Sequence, residues 1–240
     1  MAKLPTRTLD LADVRIAYTE YGEGPALLLF HGNSESKAIF SRHQQVNFKD
    51  FHTFALDSRG HGETVSNDSK YTIEQYADDA VAFCAARGIS RAYVLGYSDG
   101  GNIALFLAKK APGTFPKLAA LSPNYLASGT QDGTLRLFRA AYRVLQVLGK
   151  LGLPTHKTLL RMDLMLTDIG ISAGELAGIH TSMRILYAEH DLIKEEHIRE
   201  IAGLIPGATL KQIAKCNHLT ILDQPATIED LRAYFLGASG

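Results

Sequence analysis

The sequence predicts an α/β fold with a mainly parallel sheet. Short apolar runs alternate with helical patterns along most of the chain, which is typical of parallel strands joined by helices. The 240 residues are 46% apolar and 21% charged. A chain of this length and composition can bury one large core, which excludes wholesale disorder.

Seven short runs are predicted to form strands of this sheet. Residues 26–30 are continuously apolar, as expected of a strand that is buried on both faces. The turn at residues 21–25, which contains two glycines and a proline, separates this run from the one before it. In chain order the predicted strands are 14–19, 26–30, 52–56, 92–95, 118–121, 184–188 and 209–213.

Helical patterns separate the later strands. The Thr72 hydroxyl is predicted to cap a helix, with Gln75 three residues later completing a capping box and Gly88 ending the run. Amphipathic helices are predicted over 193–204 and 228–236. Residues from about 131 to 178 contain only helical patterns, a stretch too long for a simple crossover. We therefore expect a small helical cap at 126–179, inserted into a core domain formed by 1–125 and 180–240.

Composition excludes several classes of protein. Lysine plus arginine and aspartate plus glutamate each number 25, so the basic surplus of a nucleic-acid binder is absent. Two cysteines cannot build a disulfide framework. The first residues lack the apolar run of a signal peptide, and the longest apolar run, 80–86, is too short to span a bilayer. We expect a cytoplasmic monomer or homodimer with no nucleic-acid partner and no stable membrane association.

The most informative segment runs from Arg91 to Leu105. A strand leads into Gly-x-Ser-x-Gly at residues 96–100 and then directly into an apolar helix, which is the context that a nucleophile elbow requires. Small residues at Gly96 and Gly100 let the strand turn sharply into the helix. The turn is expected to hold Ser98 in a strained conformation with its hydroxyl above the sheet. Ser98 is therefore the predicted nucleophile.

A serine nucleophile needs a histidine base and an acid that orients the histidine. Asp191 follows a predicted strand 93 residues after Ser98, and His218 follows the next strand 27 residues later. The order serine, acid, histidine is that of the hydrolases that use this elbow. Glu189 leaves the same strand as Asp191 and competes for the role of the acid. We favour Asp191 as the acid and His218 as the base.

Backbone N–H groups are predicted to bind the oxyanion. The strand at 26–30 leads into His31-Gly32-Asn33-Ser34, where Gly32 permits close approach and the Asn33 N–H faces the same space as the Asp99 N–H. Two alternatives remain open for the Asp99 side chain: it faces solvent, or it selects a cationic group on the substrate.

These motifs resemble those of the α/β-hydrolase superfamily over nearly the whole chain. The matching pieces are Phe30-His31-Gly32-Asn33, Asp57-Ser58-Arg59-Gly60-His61-Gly62, Gly96-Tyr97-Ser98-Asp99-Gly100-Gly101, Tyr187-Ala188-Glu189-His190-Asp191 and Asn217-His218. The Gly-x-Ser-Asp-Gly-Gly form looks like that of the valacyclovir-hydrolase (biphenyl-hydrolase-like) esterases and of many bacterial relatives.

The resemblance implies a mostly parallel eight-stranded sheet, helices on both faces, a helical cap and the triad Ser98, Asp191 and His218. Two departures from the family pattern stand out. Thr181-Ser182-Met183 replaces the usual opening of the strand before Asp191, and Lys215 stands where the histidine loop often has a glycine. Neither departure removes a catalytic group. Ser98 argues against haloalkane dehalogenases and epoxide hydrolases, which use an aspartate nucleophile.

The cap carries weaker signals. Its first predicted helix has arginines at 136, 139 and 143, for which a solvated face is favoured over attraction of an anionic substrate or a membrane surface. Leu135 and Met165 are further apolar positions that either line an acyl pocket or pack onto the core. No paired metal spacing occurs among the histidines, so we expect no metal and no cofactor. The residues expected to contact substrate are His31, Tyr97, Asn124, Tyr125, Phe138, Tyr142 and Met162.

The expected function is that of a serine hydrolase which cleaves a small carboxylic ester through an acyl-enzyme. A lactone, a thioester and an amide are the other acyl substrates of the same chemistry. One alternative is hydrolysis of a C–C bond in a ring-cleavage product, which uses the same triad. Another is a catalytically silent hydrolase fold that acts as a binding module, against which the complete triad argues.

Overall fold

The sheet organises the molecule. The computed structural model describes residues 3–237, and the expectations for 1–2 and 238–240 lie outside that range. Its strands are β1 (Arg7–Asp10), β2 (Val14–Tyr21), β3 (Ala26–Phe30), β4 (His52–Leu56), β5 (Val65–Ser66), β6 (Tyr93–Tyr97), β7 (Lys117–Leu121), β8 (Ser182–His190) and β9 (Thr209–Asn217). Its helices are α1 (Ile73–Ala86), α2 (Asp99–Lys110), α3 (Asp132–Lys150), α4 (His156–Leu166), α5 (Ala173–Ala177), α6 (Glu195–Leu204) and α7 (Pro225–Leu236).

The strand order is β1-β2-β4-β3-β6-β7-β8-β9, with β5 paired to β2. All pairs from β4 to β9 along this order are parallel, whereas β2 is antiparallel to β1, β4 and β5. Because the parallel strands share a direction, the segments that follow β3, β6, β7, β8 and β9 begin at one edge of the sheet. The mostly parallel α/β sheet predicted from the sequence is thereby confirmed.

The structure corrects several strand bounds. Among residues 3–237 the sheet follows a path of eight strands, as predicted, and the two-residue β5, paired with β2, is a ninth strand beside that path. The strand β1 is absent from the predicted set, since Arg-Thr-Leu-Asp contains one apolar residue and lies largely exposed at the sheet edge. The strands β8 and β9 extend to His190 and Asn217, beyond the apolar runs that predict them.

Apolar residues are buried on both faces of the sheet. In β3, Leu28 and Phe30 belong to a cluster with α1, α2 and α6, whereas Leu27 and Leu29 belong to a cluster with α7. All four side chains are at most 2% exposed. Burial on alternating sides explains why this strand is continuously apolar rather than alternating.

The helix starts follow local hydrogen bonding. The Thr72 hydroxyl accepts from the Gln75 N–H at 3.1 Å, as predicted for the N-cap of α1. The second half of the capping box is not formed, because the Gln75 side chain donates to Asp68 instead. The helix α6 begins at Glu195 rather than at residue 193, because Ile193 forms an isolated antiparallel bridge with Thr130.

Residues 126–179, here called the cap segment, lie between β7 and β8 and contain α3, α4 and α5. The helices α3 and α4 pack against each other, and α5 contacts α2 and α6. Within residues 3–237, none of the helices combines the length and the hydropathy that crossing a bilayer would require.

Candidate active site

A strained turn between β6 and α2 presents Ser98. Its backbone has φ 55° and ψ −117°, a conformation that non-glycine residues rarely adopt. A Cβ at Gly96 would lie 1.9 Å from the Gly100 carbonyl oxygen, and one at Gly100 would lie 2.1 Å from the Phe30 carbonyl oxygen. Both positions therefore require glycine, and the Ser98 N–H anchors the turn to the Leu121 carbonyl of β7 at 2.8 Å.

Three side chains form a hydrogen-bonded chain that begins at this turn. Ser98 Oγ lies 3.0 Å from His218 Nε2, and His218 Nδ1 lies 2.6 Å from Asp191 Oδ1. The histidine follows β9 and the aspartate follows β8, so the parallel sheet brings both to the edge where Ser98 lies. Tyr97 donates from its hydroxyl to the His218 carbonyl at 2.9 Å, which fixes the backbone of the histidine loop.

Asp191 is held by four donors. Its Oδ1 accepts from His218 and from the Ile193 N–H, while its Oδ2 accepts from the Ser122 hydroxyl at 2.5 Å and from the Ala188 N–H at 2.9 Å. Burial raises the pKa of Asp191, but the hydrogen bond and charge of His218 and the donors Ser122 and Ala188 outweigh burial and lower the pKa below its ordinary value. The carboxylate therefore stays ionised beside the imidazole.

Glu189 has a different position. Its exposed side chain accepts from the Lys215 N–H at 2.6 Å and has no hydrogen bond to His218 among the residues that the structure describes. Lys215 has φ 59°, in the left-handed region that favours glycine. This explains the glycine that the resembling family often has at this position. Glu189 thus supports the histidine loop rather than the imidazole.

The two predicted oxyanion donors come from neighbouring backbone segments. The Asp99 N–H is the first of α2 and has no acceptor within the helix, because the first turn of any helix leaves its N–H groups free. Asn33 follows β3, and a Cβ on the adjacent Gly32 would lie 3.1 Å from Ser98 Cβ. Among residues 3–237, the Asn33 N–H has no hydrogen-bond acceptor. Free N–H groups beside a nucleophile suit the binding of an oxyanion.

The Asn33 side chain joins three segments of the chain. Its amide Nδ2 donates to Asp99 Oδ2 at 2.9 Å and to the Arg161 carbonyl of α4 at 2.8 Å. The Asp99 side chain is 8% exposed, so the expectation that it faces solvent is wrong: the Asn33 amide draws it inward. Burial raises the pKa of Asp99 to about 6.

A second carboxyl shapes the same loop. Glu35 accepts from the Gly32 N–H at 2.9 Å, and its own N–H donates back to the Gly32 carbonyl at 3.3 Å. Burial raises the pKa of Glu35 above its ordinary value. Glu35 was not among the site residues predicted from the sequence. The signal available was its place two residues after Asn33, where a carboxylate can close a turn onto a backbone N–H.

A cavity of about 160 Å³ opens above Ser98. One side is polar and includes Ser98, His218 and Asp99, and the other side is apolar and comes largely from the cap segment and the loop after β8. The lining residues are Gly32, Asn33, Glu35, Tyr97, Ser98, Asp99, Asn124, Thr130, Phe138, Met165, Leu192, Ile193, His218 and Leu219. The volume fits a small substrate with one apolar group beside the nucleophile.

Three of the seven residues expected to contact substrate line this cavity, namely Tyr97, Asn124 and Phe138. His31 does not line the cavity, because its ring is buried and accepts a hydrogen bond from the Ser58 N–H. This bond fixes the loop after β3. Tyr125 does not line the cavity either, because its ring stacks on His197 at 4.8 Å and its hydroxyl donates to Glu200.

Tyr142 and Met162 in the cap segment also lie away from the cavity. The Tyr142 hydroxyl interacts with the Asp163 carboxyl of α4, which raises the pKa of Tyr142 and orients the ring along the contact between α3 and α4. Met162 is 7% exposed and outside the lining, where Met165 takes the place expected for it. The two methionines are three residues apart on α4, which separates them by about 60° around the helix axis and about 4.5 Å along it.

No group of three or more histidine, cysteine, aspartate or glutamate side chains within residues 3–237 is placed to hold a metal ion. The groups that are present can carry out acyl transfer. The imidazole Nε2 is within hydrogen-bond reach of the serine hydroxyl, the buried carboxylate orients the imidazole, and free backbone N–H groups lie beside the serine.

The curated proteins that resemble this chain include hydrolases. A 2-(acetamidomethylene)succinate hydrolase of Mesorhizobium japonicum is 29% identical over 117 residues, which cover 48% of this chain and 42% of that protein. The chain spans less than half the length of this hydrolase and of other curated relatives that it matches.

Two solved structures show the same fold. The carboxylesterase CesB of Bacillus subtilis superimposes with a TM-score of 0.79 and 18% identity, covering 99% of this chain and 93% of that one. A meta-cleavage product hydrolase of Pseudomonas fluorescens gives a TM-score of 0.75 and 17% identity, covering 94% and 96%. A sequence model of the alpha/beta hydrolase fold matches residues 25–146, about half of the chain. The chain belongs to the alpha/beta hydrolase fold family.

Proposed function

We propose that this alpha/beta hydrolase is a serine hydrolase which cleaves a small carboxylic ester. The observation that carries the proposal is the continuous hydrogen-bonded chain from Ser98 through His218 to Asp191, at 3.0 and 2.6 Å, beside a cavity with a polar and an apolar side. This arrangement activates a hydroxyl that is otherwise a weak nucleophile.

Each residue has one role in the proposed reaction. His218 Nε2 takes the proton of the Ser98 hydroxyl as its oxygen bonds to the ester carbonyl carbon. The N–H groups of Asn33 and Asp99 stabilise the resulting oxyanion. His218 then gives the proton to the departing alcohol, which leaves an acyl group on Ser98. Asp191 holds the imidazole in the tautomer that has Nε2 free to accept.

Water completes the cycle. His218 takes a proton from a water molecule, whose oxygen bonds to the acyl carbon, and then returns the proton to Ser98 as the acid leaves. The cap segment, through Phe138 and Met165, is proposed to select the acyl group, because both residues lie on the apolar side of the cavity. The cavity of about 160 Å³ favours short acyl chains.

A fluorophosphonate label combined with a series of p-nitrophenyl esters from acetate to decanoate tests this proposal. We expect the label on Ser98 alone, turnover that is fastest with the shortest esters, and loss of both in Ser98→Ala. Ser90→Ala, which changes an exposed serine before β6, at the end of that strand opposite the elbow, is the matched control and should behave as wild type.

The same experiment separates the two alternatives. Labelling of Ser98 without turnover of any ester would favour the C–C bond hydrolase, to be assayed with a vinylogous diketone. The solved meta-cleavage product hydrolase is a likeness in fold alone. The two carboxyls of Asp99 and Glu35 in the cavity disfavour an anionic substrate. Absence of both labelling and turnover would favour a silent binding module.

A further inference from the structure

The cap helix α3 presents three different faces. Its inner face contains Leu135, Phe138, Tyr142 and Leu145, all buried or half-buried. A second stripe of apolar side chains points outward at spacings of seven, three and four residues, so these side chains lie along one line of the helix and the turn that follows it. They are Leu137, Val144, Val147 and Leu151, exposed by 66, 58, 57 and 74%.

A basic stripe runs beside this apolar stripe. Arg136, Arg139, Arg143 and Lys150 are exposed and repeat at spacings of three, four and seven residues. Leu137, Val144 and Leu151 each directly follow a basic residue along the chain, and successive residues of a helix are about 100° apart, so the two stripes lie side by side. No acidic residue occurs between residues 133 and 162.

The four cations of this stripe lack salt bridges with residues in the part of the chain that the structure describes. The acid at the start of the helix, Asp132, is taken by Lys194 at 2.6 Å. The exposed face of α3 therefore combines continuous apolar area with positive charge that lacks a partner.

We propose that this face of α3 docks reversibly on an anionic lipid surface. Apolar side chains of an interfacial helix enter the boundary between headgroups and acyl chains, while arginine and lysine at their side meet lipid phosphates. A second copy of the chain fits less well, because a two-fold interface would bring two basic stripes together with no acid on either. The sequence alone favours a solvated face for the arginines; the exposed apolar stripe is the observation that the structure adds.

Docking by α3 would place the cavity at the lipid interface. Phe138 belongs to the same helix and lines the cavity, and Leu219 at the cavity is 72% exposed. A substrate dissolved in the outer part of a bilayer would then meet the cavity without crossing bulk water. The docking itself does not depend on the proposed ester hydrolysis, and a binding assay tests it without any substrate.

Co-sedimentation with unilamellar vesicles tests the proposal on the full chain. We expect binding to phosphatidylcholine vesicles that contain phosphatidylglycerol, weak binding to pure phosphatidylcholine, and weaker binding as salt is raised. Each cation near an anionic surface strengthens binding about fivefold, so Arg139→Gln combined with Arg143→Gln should weaken binding about 25-fold. Leu137→Gln combined with Val144→Gln should weaken binding at least about tenfold.

Matched controls change similar residues elsewhere. Val65→Gln alters a valine that is 61% exposed on another element, and Arg42→Gln combined with Lys49→Gln removes two exposed, unpaired cations. Both controls should bind as wild type, and thermal unfolding should show all variants folded. The proposal is overturned if the wild type does not bind anionic vesicles, or if the α3 variants bind as tightly as the controls. It is equally overturned if ultracentrifugation shows a dimer that the Leu137 and Val144 changes dissociate.

Discussion

Replacing Asp191 by asparagine changes the proposed triad without changing its volume. The carboxylate accepts from four donors, namely His218, Ile193, Ser122 and Ala188, and two of these are fixed backbone N–H groups on opposite oxygens. An amide offers one acceptor oxygen and one NH₂ group, so it cannot satisfy the four donors. With the NH₂ group toward His218, the imidazole must accept at Nδ1 and carry its proton on Nε2, where it can no longer take the proton of Ser98.

The expected loss is large because the wrong tautomer removes the base. We expect kcat to fall by about 10⁴, as it does when the equivalent acid of a serine protease becomes asparagine, which corresponds to roughly 5.5 kcal/mol of transition-state stabilisation. Glu189→Gln is the matched control. It keeps an acceptor oxygen for the Lys215 N–H, 2.6 Å away, and should lower kcat less than about tenfold.

The assay is hydrolysis of the best p-nitrophenyl ester, with thermal unfolding measured beside it to show that both variants fold. If Asp191→Asn keeps nearly full activity while Glu189→Gln loses it, the acid is Glu189 and the reasoning from the four donors is wrong. If both variants remain active, the proposed triad fails at its third member.

Three further predictions concern stability. Because burial raises the pKa of Asp99 from 3.8 to about 6, the folded protein binds a proton that the unfolded chain releases between these values. The proton bound by Asp99 stabilises the fold fully below about pH 4, and this stabilisation is lost as pH rises through 6. Urea unfolding should therefore find Asp99→Asn as stable as wild type at pH 4 and roughly 3 kcal/mol more stable at pH 8. Gly96→Ala puts a Cβ 1.9 Å from the Gly100 carbonyl oxygen and should lower the free energy of unfolding by at least roughly 3 kcal/mol. Gly113→Ala, whose Cβ would meet no atom within 4 Å, is the control and should change this free energy little. Equal urea midpoints for the two variants would contradict the steric argument. Lys215→Gly relieves φ 59° and should raise the melting temperature by about 2–4 °C in calorimetry, and a lower melting temperature would show that the left-handed backbone carries no strain.

The sequence predicted well those features that depend on chain direction and on backbone sterics. Motif order assigned Ser98, Asp191 and His218 to the ends of three strands, and parallel strands end at one edge, so their proximity follows from topology. The glycine pattern around Ser98 predicted the strained turn, because a Cβ at Gly96 or Gly100 would overlap backbone atoms. Both features depend only on the backbone and its chirality.

The direction of side chains in the cap segment could not be predicted in this way, because it depends on how the helices pack. Met162 and Met165 are chemically identical, and only the packing of α4 decides that Met165 reaches the cavity. Tyr125 was expected at the cavity, but a ring partner distant in sequence, His197, draws it away. The exposed stripe on α3 was missed for a related reason, since an apolar helix pattern does not reveal how many of its positions remain uncovered.

The hydrogen bond from the Asn33 amide to the Arg161 carbonyl affects how freely the sequence of the cap segment can change. Because the acceptor is a main-chain oxygen, the bond is indifferent to the side chain at position 161. The cap segment can therefore exchange the residue at this position and keep its hydrogen bond to the loop after β3. Asn33 has no such freedom, because its amide donates to Asp99 as well as to this carbonyl. Only a side chain with two N–H groups on one atom can form both hydrogen bonds. Chimeras that transplant a foreign cap onto this core should tolerate wide sequence variation, provided that the incoming helix keeps its backbone in register at this one carbonyl.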